Sequence, residues 1–307
     1  MSLSDQYPLS TSSSPVTAWL FPGQGSQHVG MGADLYAKES GIRELFAEAA
    51  ERSGLDIVRI CFEGPADELQ RTENAQPCLL TVSVAYGRVL GARGLTPDYV
   101  AGHSLGEYSA LVQAGVLAFG DAVYAVRRRG ELMAAAGGGA MAAVLGLDDA
   151  RVEEACMEAP GAVPANYNTP GQVVISGTAA AVASASEAAR RLGATRVVTL
   201  KVSGAFHSPL MRPAAAELAG VLKALAFHDA QAPVVCNVDG AVHVCAADFP
   251  PLLVCQVAEP VRWSAVMGTL LAAGMGRCVE VGPGRVLSGL MRQMDRSVEA
   301  ASAAALL

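Results

Sequence analysis

The sequence predicts an α/β fold in two parts: a large domain built on a mostly parallel sheet, and a smaller βαββαβ domain inserted into it. Three observations predict it. Short apolar runs at 16–21, 99–102 and 277–281 lead into glycine-bearing turns, as strands buried on both faces do. The stretches between them carry helical apolar spacing. Between 139 and 203 the order becomes strand, helix, strand, strand, helix, strand, the split βαβ arrangement.

Composition sets the class. The chain has 307 residues, 51% of them hydrophobic and 17% charged, enough to bury a large core. A net charge of −7 argues against nucleic acid as a partner, which would call for a basic face. No apolar stretch reaches the roughly 18 residues that span a bilayer, so no membrane is expected. Residues 1–15 carry Asp5, lack a basic start and an apolar centre, and read as a loose leader rather than a signal peptide, which makes the cytoplasm the default location. Seven cysteines without a C-x-x-C read as reduced, buried thiols, with no metal site.

In chain order, the first strand runs into Pro22-Gly23-Gln24-Gly25-Ser26-Gln27. A dinucleotide loop fails there because His28 takes the third glycine position and no carboxylate-ended strand follows. The loop reads equally as a turn or as backbone N–H groups approaching an anion. Residues 31–69 are helical in pattern, and 77–95 read as one buried helix with Pro77 in its first turn. Residues 119–136 form another helix carrying Arg127-Arg128-Arg129. At about 100° per residue, three consecutive arginines cannot all face solvent, so at least one points inward and needs an anionic partner. Gly137-Gly138-Gly139 is a hinge into the inserted unit, whose strands are expected at 140–147, 163–166, 172–177 and 196–202, with helices at 148–158 and 179–192 and an amide-rich turn at 166–171. A helix ending near 227, a strand at 234–238, a helix at 260–273 and the strand at 277–281 complete the large domain, and the alanine-rich end frays. The expected divisions are therefore 1–15, 16–138 with 204–298, 139–203 and 299–307.

The chemistry centres on Gly102-His103-Ser104-Leu105-Gly106. A strand, a tight turn and a helix make this a nucleophile elbow, in which glycines allow the reversal and the N–H of Leu105 points at whatever Ser104 attacks. The pentapeptide by itself reads equally as a helix cap. His207, before Ser208 as an N-cap and Pro209 at N1, sits at a strand end like Ser104, where sites of α/β sheets gather. Nucleophile first and histidine later is the α/β-hydrolase order, and the large domain is expected to be α/β-hydrolase-like. His103 competes as the base, but neighbours in a tight turn point apart. No carboxylate stands at a strand end between the two, which leaves a backbone carbonyl or a neutral amide such as Gln256 to orient the ring.

Gly23-Gln24-Gly25-Ser26-Gln27, Gly102 to Glu107, Arg129-Gly130, the run from Asn166 to Gly177 and Gly204-Ala205-Phe206-His207-Ser208 together resemble the malonyl-CoA:acyl-carrier-protein transacylases, in order from about Trp19 to Met291. The resemblance implies Ser104 as acylated nucleophile, His207 as base and acid, and Gln24 and Leu105 as oxyanion donors. It implies Arg129 as clamp of the malonyl carboxylate, Gln76 and Asn168 as pocket lining, Gln256 as holder of His207, and Phe206 as a guard against methylmalonyl. Gly204 departs from related polyketide domains, many of which have histidine there. The implied partners are malonyl-CoA and an acyl carrier protein, free or within a polyketide synthase, with no cofactor. Arg190, Arg191 and Lys201 are candidates to attract the carrier. The rival readings are an acyl hydrolase, which has no use for Arg129, a transferase of another extender such as methylmalonyl, and a non-catalytic docking module, which has no use for the assembled site.

Overall fold

The structure is a computed structural model and describes residues 15–307. The expected leader therefore lies outside the described residues except for Pro15. β1 (Val16–Phe21) is followed by α1 (Ala33–Lys38), α2 (Ser40–Ser53), α3 (Ile57–Phe62), α4 (Ala66–Gln70) and α5 (Thr72–Ala92). Then come β2 (Tyr99–Gly102), α6 (Gly106–Gln113) and α7 (Phe119–Ala135). The inserted unit is β3 (Ala140–Leu145), α8 (Asp149–Met157), β4 (Ala162–Thr169), β5 (Gln172–Gly177), α9 (Ala179–Arg191) and β6 (Arg196–Thr199). The chain returns through α10 (Arg212–Lys223), β7 (Val234–Val235), β8 (Val242–His243), α11 (Phe249–Ala258), α12 (Trp263–Ala272), β9 (Met275–Glu280), α13 (Val286–Met294) and β10 (Glu299–Ser302).

The large sheet has the order β10-β9-β1-β2-β7-β8 and is parallel except for β8. β1 lies at its centre and alternates faces as a strand must. Trp19 and Phe21 enter one apolar cluster with residues of α2, α5, α6 and α7, whereas Ala18 and Leu20 enter another with residues of α12 and α13. Helices therefore cover both faces, and the carboxyl ends of β1, β2, β7 and β9 open at one edge.

The small sheet has the order β4-β5-β3-β6 and is antiparallel throughout, the ferredoxin-like arrangement expected. Asp148 and Thr178 cap α8 and α9 by accepting the N–H groups of Arg151 and Ala181. Ala155, Ala185, Ala188 and Ala189 let these helices lie close to the sheet. β4 also joins the large unit, since Tyr167 N–H donates to the Val261 carbonyl and Val261 N–H to that of Ala165.

Several expectations need correction. The end at 299–307 does not fray: β10 pairs with β9, and Leu306 and Leu307 pack against the core. Small alanine side chains suit this edge strand. Pro77 is inside α5 and not in its first turn. The carbonyl of Glu73, which the missing N–H of Pro77 leaves free, instead accepts from Arg127 Nη1 at 2.9 Å, so a distant side chain repairs the helix. The supposed turn at 166–171 is mostly strand, with β4 running to Thr169. The stretch at 31–69 is helical as expected, in four helices, whereas the expected strand at 234–238 is two residues long. α11, α13 and β8 were not foreseen. Of the seven free cysteines, Cys245 and Cys255 are exposed rather than buried.

Candidate active site

Ser104 follows β2 with φ of 51°, the left-handed conformation that an elbow demands. The flanking glycines are steric necessities: a Cβ on Gly102 would collide with the backbone of Gly106, and one on Gly106 with the Phe21 carbonyl. Gly23 is equally constrained, because a Cβ there would stand 2.5 Å from the His103 carbonyl oxygen. The strained turn is held from outside. Asn237 Oδ1 accepts the Ser104 N–H at 2.7 Å while its Nδ2 donates to the Gly102 carbonyl at 2.7 Å. Gln256 Nε2 donates to the Ser104 carbonyl at 3.0 Å.

His207 also has positive φ, 56°, and its Nε2 lies 2.8 Å from Ser104 Oγ. Its Nδ1 lies 2.7 Å from the Gln256 backbone carbonyl. A carbonyl only accepts, so Nδ1 carries the proton and Nε2 presents its lone pair to the serine hydroxyl. Of the two orienters left open by the sequence, the backbone carbonyl is realised, and it belongs to Gln256 itself. Ser208 does occupy an N-cap position, but its hydroxyl donates to the Ala205 carbonyl at 2.6 Å and caps nothing.

Arg129 is the inward arginine. It is 1% exposed, while Arg127 and Arg128 pair with Glu131. Gly130 permits its placement, since a Cβ there would sit 2.7 Å from the Glu73 Cα where α7 crosses α5. Nη1 donates to Gln76 Oε1 at 2.8 Å, and Nη2 to Gln256 Oε1 at 3.0 Å and Ser104 Oγ at 3.1 Å. The anionic partner expected for a buried arginine is not what holds it: two neutral amides and a hydroxyl do. Its charge is thus left free to meet an anion beside the serine.

A cavity of about 430 Å³ opens over these groups. Gln24, Ser104, Leu105, Arg129, Phe206 and His207 line it, with Met133, Met141, Leu200 and Val202 as an apolar wall. Among the described residues, the backbone N–H groups of Gln24 and Leu105 make no hydrogen bond within the chain. Gln76, Asn168 and Gln256 do not line the cavity, contrary to expectation for the first two. Gln76 and Gln256 stand behind Arg129. Asn168 Oδ1 accepts from His103 Nε2 at 2.9 Å, which occupies that ring nitrogen and ties the small unit to the elbow. Asn166, on the same strand, reaches the cavity instead. Lys201 lines its mouth, whereas Arg190 and Arg191 lie on α9, with Arg191 paired to Glu158.

Burial and the nearby Arg129 charge depress the His207 imidazole to about 3, so it is a neutral base at ordinary pH. Burial lifts the Glu107 carboxyl to about 7, against hydrogen bonds from its surroundings. Burial likewise lowers His103 and Arg129 and raises Cys236. Glu107 Oε2 accepts the Asn237 N–H at 2.8 Å, making it the anchor of the residue that clamps the elbow. Sequence reasoning missed the roles of Glu107 and Asn237. The one available signal was a carboxylate three residues past Ser104 on an otherwise uncharged helix.

The acyl transferase domain family matches residues 18–307. The malonyl CoA-acyl carrier protein transacylase of Bacillus subtilis is 49% identical over 289 residues, covering 92% of this chain and 91% of the relative. That of Escherichia coli is 47% identical over 292 residues, covering 93% and 94%. Among solved structures, the malonyl-CoA:acyl carrier protein transacylase of Xanthomonas oryzae superposes with a TM-score of 0.91 at 47% identity and 95% coverage of both chains. A malonyl-transacylase in complex with a type II polyketide synthase acyl-carrier protein superposes with a TM-score of 0.91 at 43% identity, covering 94% of this chain and 95% of that one.

Proposed function

The chain belongs to the acyl transferase domain family, and from that membership we infer that it moves a malonyl group from malonyl-CoA to the phosphopantetheine thiol of an acyl carrier protein. It is an acyltransferase, supplying extender units for fatty-acid or polyketide synthesis. The single observation that carries the substrate is Arg129, a buried guanidinium held by neutral groups 3.1 Å from the serine oxygen. A carboxylate on the acyl group supplies the anion that a plain acyl chain lacks, which also weighs against the hydrolase reading.

In this reading Ser104 Oγ attacks the thioester carbonyl as its proton passes to His207 Nε2. The N–H groups of Gln24 and Leu105 receive the oxyanion, and Nη2 of Arg129 exchanges the serine oxygen for the malonyl carboxylate. The C–S bond breaks, the CoA sulfur takes the proton from His207, and the malonyl-Ser104 ester remains. The carrier thiol then gives its proton to His207 and attacks the ester, and Ser104 Oγ leaves and recovers that proton. The Gln256 carbonyl keeps the ring in the required tautomer throughout. Phe206 and the methionine wall restrict an α-methyl group. No cofactor is needed, and Lys201 at the cavity mouth is the cation best placed to meet an acidic carrier. The cytoplasm fits seven free thiols, and no helix among the described residues is long and apolar enough to cross a membrane.

Intact-protein mass spectrometry after mixing with malonyl-CoA tests this. The wild type gains one malonyl group and Ser104→Ala gains none. A covalent malonyl group on Ser104→Ala would place the nucleophile elsewhere.

A further inference from the structure

Arg129 is set by Gln76, and Gln76 is set in turn by a residue outside the cavity lining. A guanidinium only donates, so Gln76 must turn Oε1 toward Arg129 and point its NH₂ the other way. Gln76 is fully buried, so both amide protons need acceptors inside the protein. One goes to Thr72 Oγ1 at 3.1 Å and the other to the weak acceptor Met133 Sδ at 3.6 Å. The Thr72 hydroxyl spends its own proton on Gln24 Oε1 at 2.8 Å. The chain of donors thus runs in one direction from Arg129 through Gln76 and Thr72 to Gln24, which lines the same cavity as Ser104. Thr72 itself is 1% exposed and is held by the contact between α5 and α7, where a Cβ on Gly130 would come within 2.9 Å of its carbonyl oxygen.

We propose that Thr72 is a positioning residue for malonyl recognition: its hydroxyl fixes which end of the Gln76 amide faces Arg129 and ties that amide to the Gln24 loop. The proposal rests on the reading of Arg129 as the carboxylate clamp. Without the hydroxyl, one Gln76 proton has no oxygen acceptor. The amide is then free to rotate its NH₂ toward Arg129, where donor faces donor and the guanidinium is displaced.

The test is competitive acylation by malonyl-CoA and acetyl-CoA, read by mass spectrometry, in the wild type, Thr72→Val, Thr72→Ser and Arg129→Ala. Valine keeps the shape of threonine and removes only the hydroxyl. Thr72→Val should lower the malonyl-to-acetyl ratio by roughly three- to tenfold, the worth of one net hydrogen bond, and Thr72→Ser should restore it to within about twofold. A preference lost in Arg129→Ala but unchanged in Thr72→Val overturns the role of Thr72 alone. So does an equal loss in Thr72→Ser, which would make the methyl group the important part. A malonyl preference that survives Arg129→Ala removes the clamp and this proposal with it. Should Thr72→Val not be recovered folded, Gln24→Ala approaches from the other end. It should lower the ratio in the same direction, and an unchanged ratio overturns the proposal.

Discussion

The core of the inserted unit and the carboxyl edge of the large sheet bury opposite kinds of side chain. Behind the antiparallel sheet of the inserted unit, the core is aliphatic, with Val144, Val152, Ile175 and a run of alanines between sheet and helices. At the carboxyl edge of the parallel sheet, Gln76, Glu107, Arg129, His207, Asn237 and Gln256 are all buried together. Polar groups survive there because each reaches backbone or side chains made available where strands end and helices begin. The small unit needs only shape. It contributes a wall through Met141, a tether through Asn168 and Lys201 at the cavity mouth, whereas the buried charge of Arg129 and the Ser104–His207 pair belong to the large unit.

The sharpest way to break that division is to remove the proposed proton carrier. His207→Ala should fold and lose roughly 10²–10⁴ in the rate of acylation, the usual worth of a positioned acid–base group. Quenched-flow loading measures it, and a loss below about tenfold would pass the role to another group, with His103 the nearest candidate.

Next in size is Arg129→Ala. A hydrogen bond to a charged group is worth about 1.5–3 kcal/mol, so malonyl preference over acetyl should fall by roughly one to two orders of magnitude. Acetyl loading should hold or improve, since acetyl no longer meets an unpaired buried cation. Competitive loading decides, and an unchanged ratio would mean that another group recognises the carboxylate.

The same assay on the small unit should give much less. Asn168→Ala deprives His103 of its partner and loosens the tether, with an expected loss of only severalfold in loading. A loss comparable to that of His207→Ala would place part of the chemistry in the inserted unit and end the contrast.

The smallest effect concerns stability. Glu107 holds its proton in the folded state up to about 7 against an ordinary 4.5, so the folded state binds more protons between these values. Stability from this group is therefore present below pH 4.5 and is lost as pH rises toward 7 and beyond. Glu107→Gln should flatten that decline in melting temperature between pH 5 and 8. His207 acts in the opposite window: its folded value of about 3 lies below the ordinary 6.5, so its contribution is lost as pH falls from 6.5. A Glu107→Gln profile parallel to the wild type would show that the buried carboxylate is compensated by its surroundings.

Much of this site was legible before folding. Ser104 and His207 stand out because glycine and proline impose local backbone geometry, and local geometry is written in adjacent residues. Helical periodicity required one inward arginine among 127–129 and the family resemblance singled out Arg129, but in place of the expected anionic partner amides 53 and 127 residues away accept from its Nη atoms. Pro77 misled for a related reason: the carbonyl it frees is satisfied by Arg127, 54 residues beyond Glu73. The alanine-rich end misled because an edge strand of small residues has no apolar signature of its own.

By itself, then, the sequence determined the alternation of strands and helices, the inserted unit, the elbow and the inward arginine, all consequences of periodicity and of residues that restrict their own backbone. Only the tertiary structure decided that Asn237 and Gln256 would grip Ser104, that the Gln256 carbonyl would orient His207, and that Asn168 would hold His103. Each of those contacts joins short polar side chains to groups many residues distant, and an amide carries no periodic mark of the partner it will meet once the helices and sheets have packed.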